Sequence, residues 1–115
     1  MLFLLYPPCS TCKKAQKWLD DHSLGYTARH IKEVNPSYEE LKHWYEISNL
    51  PLKRFFNTSG LLYKSLNLKD RLAHMSEQEQ LQLLASDGML VKRPILVKEG
   101  KVLVGFKQAQ WEELL

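Results

Sequence analysis

The sequence predicts an α/β fold: a mixed sheet built from a β-α-β start and a β-β-α finish, with a helical block between them. Three observations predict it. The apolar run Leu2–Tyr6 is stopped by Pro7-Pro8, and a helical period begins directly after it. A β-prone stretch, Tyr26–Ile31, returns after that helix at the spacing of a parallel crossover. Near the other end, two apolar runs flank Glu99-Gly100, a two-residue hairpin signal.

Taken in order, Leu2–Tyr6 reads as a short buried strand, because proline has no N–H to give to a sheet ladder and ends it. Ser10 to about His22 reads as a helix with Ala15, Trp18 and Leu19 inward and Lys13, Lys17, Asp20 and Asp21 outward. Leu24-Gly25 ends it, with Gly25 expected in the left-handed position near the C-cap. Tyr26–Ile31 alternates and forms the second strand. Ser37 with Glu40, and Ser76 with Glu79, match capping boxes ahead of apolar residues at helical spacing. Between these two helices, Pro51 starts a short helix over Leu52–Phe56, and Leu61, Leu62, Tyr63 and Leu66 supply another turn or two. Gly88 reads as the C′ residue of the helix that begins after Ser76. Pro94–Lys98 and Lys101–Val104 form the hairpin, and Lys107–Leu115, with Ala109, Trp111, Leu114 and Leu115, closes the chain as a helix. A parallel pair and an antiparallel hairpin can share one mixed sheet covered by helices. That is the thioredoxin architecture, with residues 1–35 and 88–115 as its core and about 36–87 as a helical insertion in a single domain of 115 residues.

Charge and cysteine usage narrow the function. Sixteen basic residues against 13 acidic ones, both signs dispersed, give a net charge of +3, too weak to argue for direct nucleic-acid binding. The N-terminal apolar run lacks a basic flank and is too short for a signal-peptide core or a membrane span. A cytoplasmic location is expected, with no membrane partner. The two cysteines, three residues apart, are then more readily catalytic or redox-sensing than a structural staple.

Cys9 falls at the strand–helix junction, where free N–H groups and the helix dipole favour an anion such as a thiolate. Lys13 and Lys14 add positive charge nearby, and Cys12 is placed one turn on to resolve a mixed disulfide formed at Cys9. The plainer reading is a pair of small buried core residues. Zinc would need two further ligands, which the dispersed His22, His30, His43 and His74 do not supply by spacing, and Lys13 stands where covalent haem attachment needs a histidine. No bound cofactor is expected. Arg93-Pro94 is the second candidate site: a cis bond there would turn the backbone towards the cysteines, and Arg93 would bring a permanent charge to a thiolate or oxyanion. The alternative is a strand-initiating proline beside a solvated arginine. Asn57-Thr58-Ser59-Gly60 is turn chemistry first and an N–H cradle for an anion second. Trp18, Trp44 and Trp111 read as core.

Tyr6–Ala15, Phe56–Gly60 and Lys92–Ile95 resemble the arsenate reductase (ArsC)/Spx family, and the similarity extends along essentially the entire chain to Val104-Gly105-Phe106. The resemblance implies a thioredoxin-like fold with a helical insertion and a cis proline at Pro94. In glutaredoxin-linked arsenate reductases the position of Cys9 attacks arsenate, and the position of Cys12 is usually serine. Arg93 matches one of their three oxyanion arginines, whereas Asn57 and Gly105 stand at the other two. Losing two such clamps costs ~1.5–3 kcal/mol per charged hydrogen bond. Spx-type regulators carry Cys-x-x-Cys as a redox switch and bind the C-terminal domain of the RNA polymerase α subunit; Leu50–Phe55 does not reproduce their contact region. A third branch reduces thiols with glutathione, and the loop and Lys-Arg-Pro run look closest to it. The expectation is a thiol–disulfide oxidoreductase with Cys9 attacking, Cys12 resolving and Arg93 stabilising the anion. Its substrate would be a small thiol, an oxyanion such as arsenate, or a protein disulfide. Its reductant would be glutathione or a thioredoxin- or glutaredoxin-type donor. The alternative is an Spx-like redox-switched regulator of RNA polymerase.

Overall fold

The chain, described over residues 1–115 in a computed structural model, forms one four-stranded sheet. Its strands are β1 (Leu2–Leu5), β2 (Thr27–His30), β3 (Ile95–Lys98) and β4 (Lys101–Val104), in the order β2-β1-β3-β4. β1 runs parallel to β2, with Leu2 opposite Thr27 and Leu5 opposite His30. It runs antiparallel to β3, with Leu2 opposite Val97 and Leu4 opposite Ile95, and β3–β4 is the hairpin turned by Glu99-Gly100. This is a mixed sheet of thioredoxin-like type, with the helical insertion between its halves.

The continuous apolar character of β1 follows from its central place, because a strand covered on both faces needs no polar side. Phe3 and Leu5 join Cys12, Ala15, Trp18, Leu19, Leu96 and Trp111 on one face of the sheet. Leu4, on the opposite face by the two-residue period of a strand, joins the larger cluster with Ile31, Leu41, Phe55, Leu84 and Ile95. β2 lies at an edge, so it is only partly covered.

Helix α1 (Ser10–Asp21) covers the first face through Cys12, Ala15, Trp18 and Leu19. Helices α2 (Tyr38–Ser48), α3 (Leu61–Ser65), α4 (Leu68–Arg71) and α5 (Glu77–Ser86) belong to the opposite side. Both capping boxes form. Ser37 Oγ accepts from the Glu40 N–H at 3.1 Å while Glu40 accepts from the Ser37 N–H at 3.0 Å, and Ser76 with Glu79 repeats the pattern. Glu40 also receives two donors of Arg29 on β2, at 2.6 and 2.9 Å, which fixes the start of α2 to the sheet edge. Chiefly through Arg29, and against partial burial, the Glu40 carboxyl is held down at about 2.

Three local expectations are corrected. The left-handed residue after α1 is Ser23 (φ 54°), not Gly25. The Leu24 N–H reaches the Leu19 carbonyl and the Ser23 N–H the Asp20 carbonyl, each at 3.1 Å, a Schellman closure that packs Leu24 against the core. The closing helix is a single α turn, α6 (Gln108–Trp111), followed by a 3-10 turn over Glu112–Leu114; only Trp111 is buried, and Ala109 and Leu115 are exposed.

Gly88 is not a left-handed cap either. Asp87 ends α5 in extended conformation and Gly88 begins a 3-10 turn, Gly88–Leu90. Glycine is needed there for close approach: a Cβ would lie 1.9 Å from the Ile31 carbonyl oxygen. Gly88→Ala is therefore expected to lower stability by at least the ~1–3 kcal/mol of an overpacked site, read as a fall in the urea midpoint. Gly25→Ala, where nothing lies within 4 Å, is the control and leaves the midpoint unchanged or slightly raised. No helix is long and apolar enough to cross a membrane.

Candidate thiol site

After β1 the chain turns through Tyr6-Pro7-Pro8, and the Cys9 N–H closes the turn on the Tyr6 carbonyl at 2.9 Å. Cys9 is the N-cap of α1, with extended backbone (φ −75°, ψ 122°). Its sulfur does what a serine or aspartate oxygen does at other helix starts, accepting the Cys12 N–H at 3.4 Å. Cys12, one turn in, is fully buried, and its sulfur accepts the Tyr6 N–H at 3.5 Å. Both thiols are free, with Cys9 half-buried.

The two sulfurs are thereby made unequal. Burial opposes ionisation of Cys9 more than any single favourable contact promotes it. Together, however, the Cys12 N–H, the Cys12 thiol, Arg93 and the Thr11 N–H outweigh burial and set Cys9 below the ordinary thiol value. Burial dominates at Cys12. With the neighbouring Cys9 acting in the same direction, it pushes that thiol up to about 12, despite the Tyr6 N–H and the more distant charge of Arg93. Lys13 and Lys14 are exposed and do not account for the lowered Cys9; helix-start N–H groups and Arg93 do.

Arg93 comes from the far half of the sequence. Its peptide bond to Pro94 is cis, and its guanidinium carbon stands 5.0 Å from the centre of the Tyr6 ring. Arg93 Nη1 is buried with no hydrogen-bond partner. Pro94 is buried, and its carbonyl accepts the Gly105 N–H at 2.8 Å. Gly105, at φ +77°, in turn accepts the Trp111 indole N–H at 3.1 Å. One line of bonds thus fixes Arg93-Pro94 to the closing helix.

The Asn57-Thr58-Ser59-Gly60 turn does not join the thiols as an open cradle. The Asn57 N–H donates to the Leu90 carbonyl, Thr58 to Phe56 and Gly60 to Asn57, so three of its four amides are engaged within the protein. Phe56 bridges Val91, and the Lys92 N–H bonds to the Phe55 carbonyl at 2.8 Å. The turn steadies the segment that carries Arg93. No group of His, Cys, Asp and Glu is placed to hold a metal ion.

Sequence reasoning missed two residues of the site. Tyr6 supplies the ring over which Arg93 is held, and its place as an aromatic just before Pro-Pro-Cys was the available signal. Lys92 lies with its Cε 3.5 Å from where a Cβ on Gly105 would be. Its side chain therefore borders the space a larger residue at position 105 would enter.

Comparison with known proteins identifies the family. The ArsC family model matches residues 4–114. The chain is 58% identical over 113 residues to protein YusI of Bacillus subtilis, covering 98% of this chain and 96% of that protein. A solved structure from Streptococcus mutans, described as a possible arsenate reductase, superimposes with a TM-score of 0.92 at 48% identity, covering 99% of this chain and 97% of the other. The global transcriptional regulator Spx of Enterococcus faecalis is 28% identical over 109 residues, covering 95% of this chain and 81% of that protein. The chain belongs to the ArsC family.

Proposed function

We propose that the protein is a thiol–disulfide oxidoreductase working in the cytoplasm. The observation that carries this reading is the inequality of the two thiols: a half-exposed Cys9 set low at a helix start, and a buried Cys12 pushed up to about 12 one turn away. The Cys9 thiolate attacks one sulfur of a disulfide, forming a Cys9 mixed disulfide and releasing the other half as a thiolate. Cys12 then gives up its proton and attacks Cys9 Sγ, forming the Cys9–Cys12 disulfide and releasing the second half. The substrate gains two electrons and the cysteine pair loses two. Two molecules of a low-molecular-weight thiol such as glutathione, or one thioredoxin- or glutaredoxin-type dithiol, return them. Arg93 stabilises the attacking and leaving thiolates. Arsenate is the poorer substrate in this reading, because Asn57 and Gly105 bring no charge to join Arg93.

The pH dependence of alkylation, resolved by mass spectrometry at each cysteine of the reduced protein, tests it. A lowered pKa means that the thiolate persists below the ordinary titration range, so Cys9 should alkylate with an apparent pKa below the ~8.5 of a free thiol. Cys12 should stay silent until the pH approaches 12 or the chain unfolds. A Cys9 that titrates at or above the free-thiol value sinks the proposal.

A second reading, favoured by the similarity to Spx, is a redox-switched regulator that binds the C-terminal domain of the RNA polymerase α subunit. It predicts a complex with that domain whose affinity changes when the cysteine pair oxidises. Pull-downs without the subunit in both redox states exclude it.

A further inference from the structure

The two edges of the sheet are finished differently. At β2 the following turn folds back over the edge: the Val34 N–H bonds to the His30 carbonyl at 2.9 Å, and Arg29 donates to the Val34 and Asn35 carbonyls. At β4 nothing does. Residues of an antiparallel pair alternate between those that exchange bonds with the opposite strand and those that turn their N–H and C=O outward. Lys98 and Lys101 flank the two-residue turn, Leu96 lies opposite Leu103, and the Gly105 N–H bonds to the Pro94 carbonyl, so these are the bonded positions. Val102 and Val104 fall between them, and their outward N–H and C=O groups have no partner in the protein. Backbone groups that are withheld from water in this way ordinarily find one.

A cavity of about 420 Å³ runs along this edge, lined by residues 100–104, by residues 47–50 at the end of α2 and by Gln110 and Glu113 of the closing segment. Val102 and Val104 are only 5% and 7% exposed, so the edge is recessed between those flanks. Two recessed edges cannot meet, which disfavours a second copy of this chain, whereas a single extended segment can enter. Open edges are usually guarded by proline, a bulge or a charge turned inward; β4 has none of these, and its register with β3 is continuous. Charge distinguishes the two ends of the groove. Lys101 is paired with Glu113 at 3.5 Å at one end. Arg54 lines the same cavity without an ion pair. It also borders a neighbouring cavity with Lys92, whose Cε stands 3.5 Å from where a Cβ on Gly105 would be, so its charge belongs to the Val104 end.

We propose that this groove takes an extended, acidic peptide segment of a partner protein, added to β4 as a further strand. The free groups of Val102 and Val104 supply the main-chain bonds, and Ile47, Leu50 and Leu103 give apolar contacts to alternate side chains of the segment. A carboxylate beside Arg54 meets the one cation of the groove that the protein leaves unpaired. Neither cysteine lines the cavity, so the docking surface is independent of the thiol chemistry.

Amide hydrogen exchange and NMR titration of the full reduced chain test it. In the free protein the Val102 and Val104 amides are expected to exchange about tenfold faster, or more, than the bonded Leu103 amide. The probe is an end-capped, seven-residue peptide of alternating valine and aspartate, and the control peptide has lysine in place of aspartate. At saturation the aspartate peptide should shift the Val102 and Val104 amide signals and slow their exchange by about tenfold. The lysine peptide should bind about tenfold more weakly, and Arg54→Glu, at an exposed position that the fold does not depend on, should reverse that order. Edge amides as slow as Leu103 in the free protein, no slowing with the aspartate peptide, or an Arg54→Glu variant that ranks the two peptides as the wild type does, overturn the proposal. So does protection of both amides that grows with protein concentration alone, which would place a second copy in the groove.

Discussion

Cys9→Ser is expected to lower reduction of 2-hydroxyethyl disulfide by about a thousandfold or more, the scale on which loss of a nucleophile is felt. The serine hydroxyl still fits the N-cap and still accepts the Cys12 N–H, so the helix start survives the change. What disappears is the thiolate. Cys12 cannot replace it, being fully buried with its thiol pushed up to about 12. Cys12→Ser leaves the first attack intact and removes the second, so the Cys9 mixed disulfide should accumulate and be visible as an adduct in intact-mass spectra. With wild-type protein the rate at limiting substrate should rise with pH only up to the lowered Cys9 pKa and then level off, because thiolate already predominates above it. Full turnover by Cys9→Ser would place the chemistry elsewhere.

Trp111→Ala is expected to cost about 3–5 kcal/mol, the largest loss of stability from any single side chain of the closing segment. Trp111 is fully buried, with ring centres 6.3 Å from Phe3, 6.0 Å from Trp18 and 4.9 Å from Phe106, each edge-to-face. A loss of that size should lower Tm by more than about 10 °C in a chain of this length. Trp111→Phe separates packing from bonding. It keeps most of the apolar area but leaves the Gly105 carbonyl without its 3.1 Å donor, for about 1–3 kcal/mol. Since Gly105 also holds the Pro94 carbonyl, the same variant should alter the alkylation rate of Cys9. A Tm within about 2 °C of wild type for Trp111→Ala would show that the closing helix lies outside the cooperative core.

The elements that were legible in the sequence are those whose signal is local. Ser37 with Glu40, and Ser76 with Glu79, announce helix starts because both halves of a capping box lie within one turn. Leu2–Tyr6 followed by Pro-Pro-Cys gives the strand, its stop and the capped thiol within a few residues. Residues whose conformation is set by distant partners were misread. Gly88 looks like a helix terminator, but its small size serves the Ile31 carbonyl, which reaches it from the end of β2. Gly25 is the conspicuous turn residue after α1, yet burial of Leu24 fixes the closure two residues earlier, at Ser23. The Lys13-Lys14 pair is near Cys9 in sequence and exposed in space, whereas Arg93, which lies by the thiol, is brought there by the antiparallel pairing of β1 with β3.

The Phe56–Val91 bridge and the Lys92-to-Phe55 bond have a consequence for how such a protein can diversify. The cysteine pair lies in the first dozen residues, and Arg93-Pro94 comes to it from the other half of the chain. The helical segment between them meets the stretch before Arg93 along this seam, while Leu41, Phe55 and Leu84 pack against Leu4 and Ile95 of the sheet. Substitutions at exposed positions of that segment, Lys53 and Arg54 among them, therefore leave the backbone that carries Arg93 in place. The surface of the insertion and the setting of the cysteine pair can thus vary separately in one small chain.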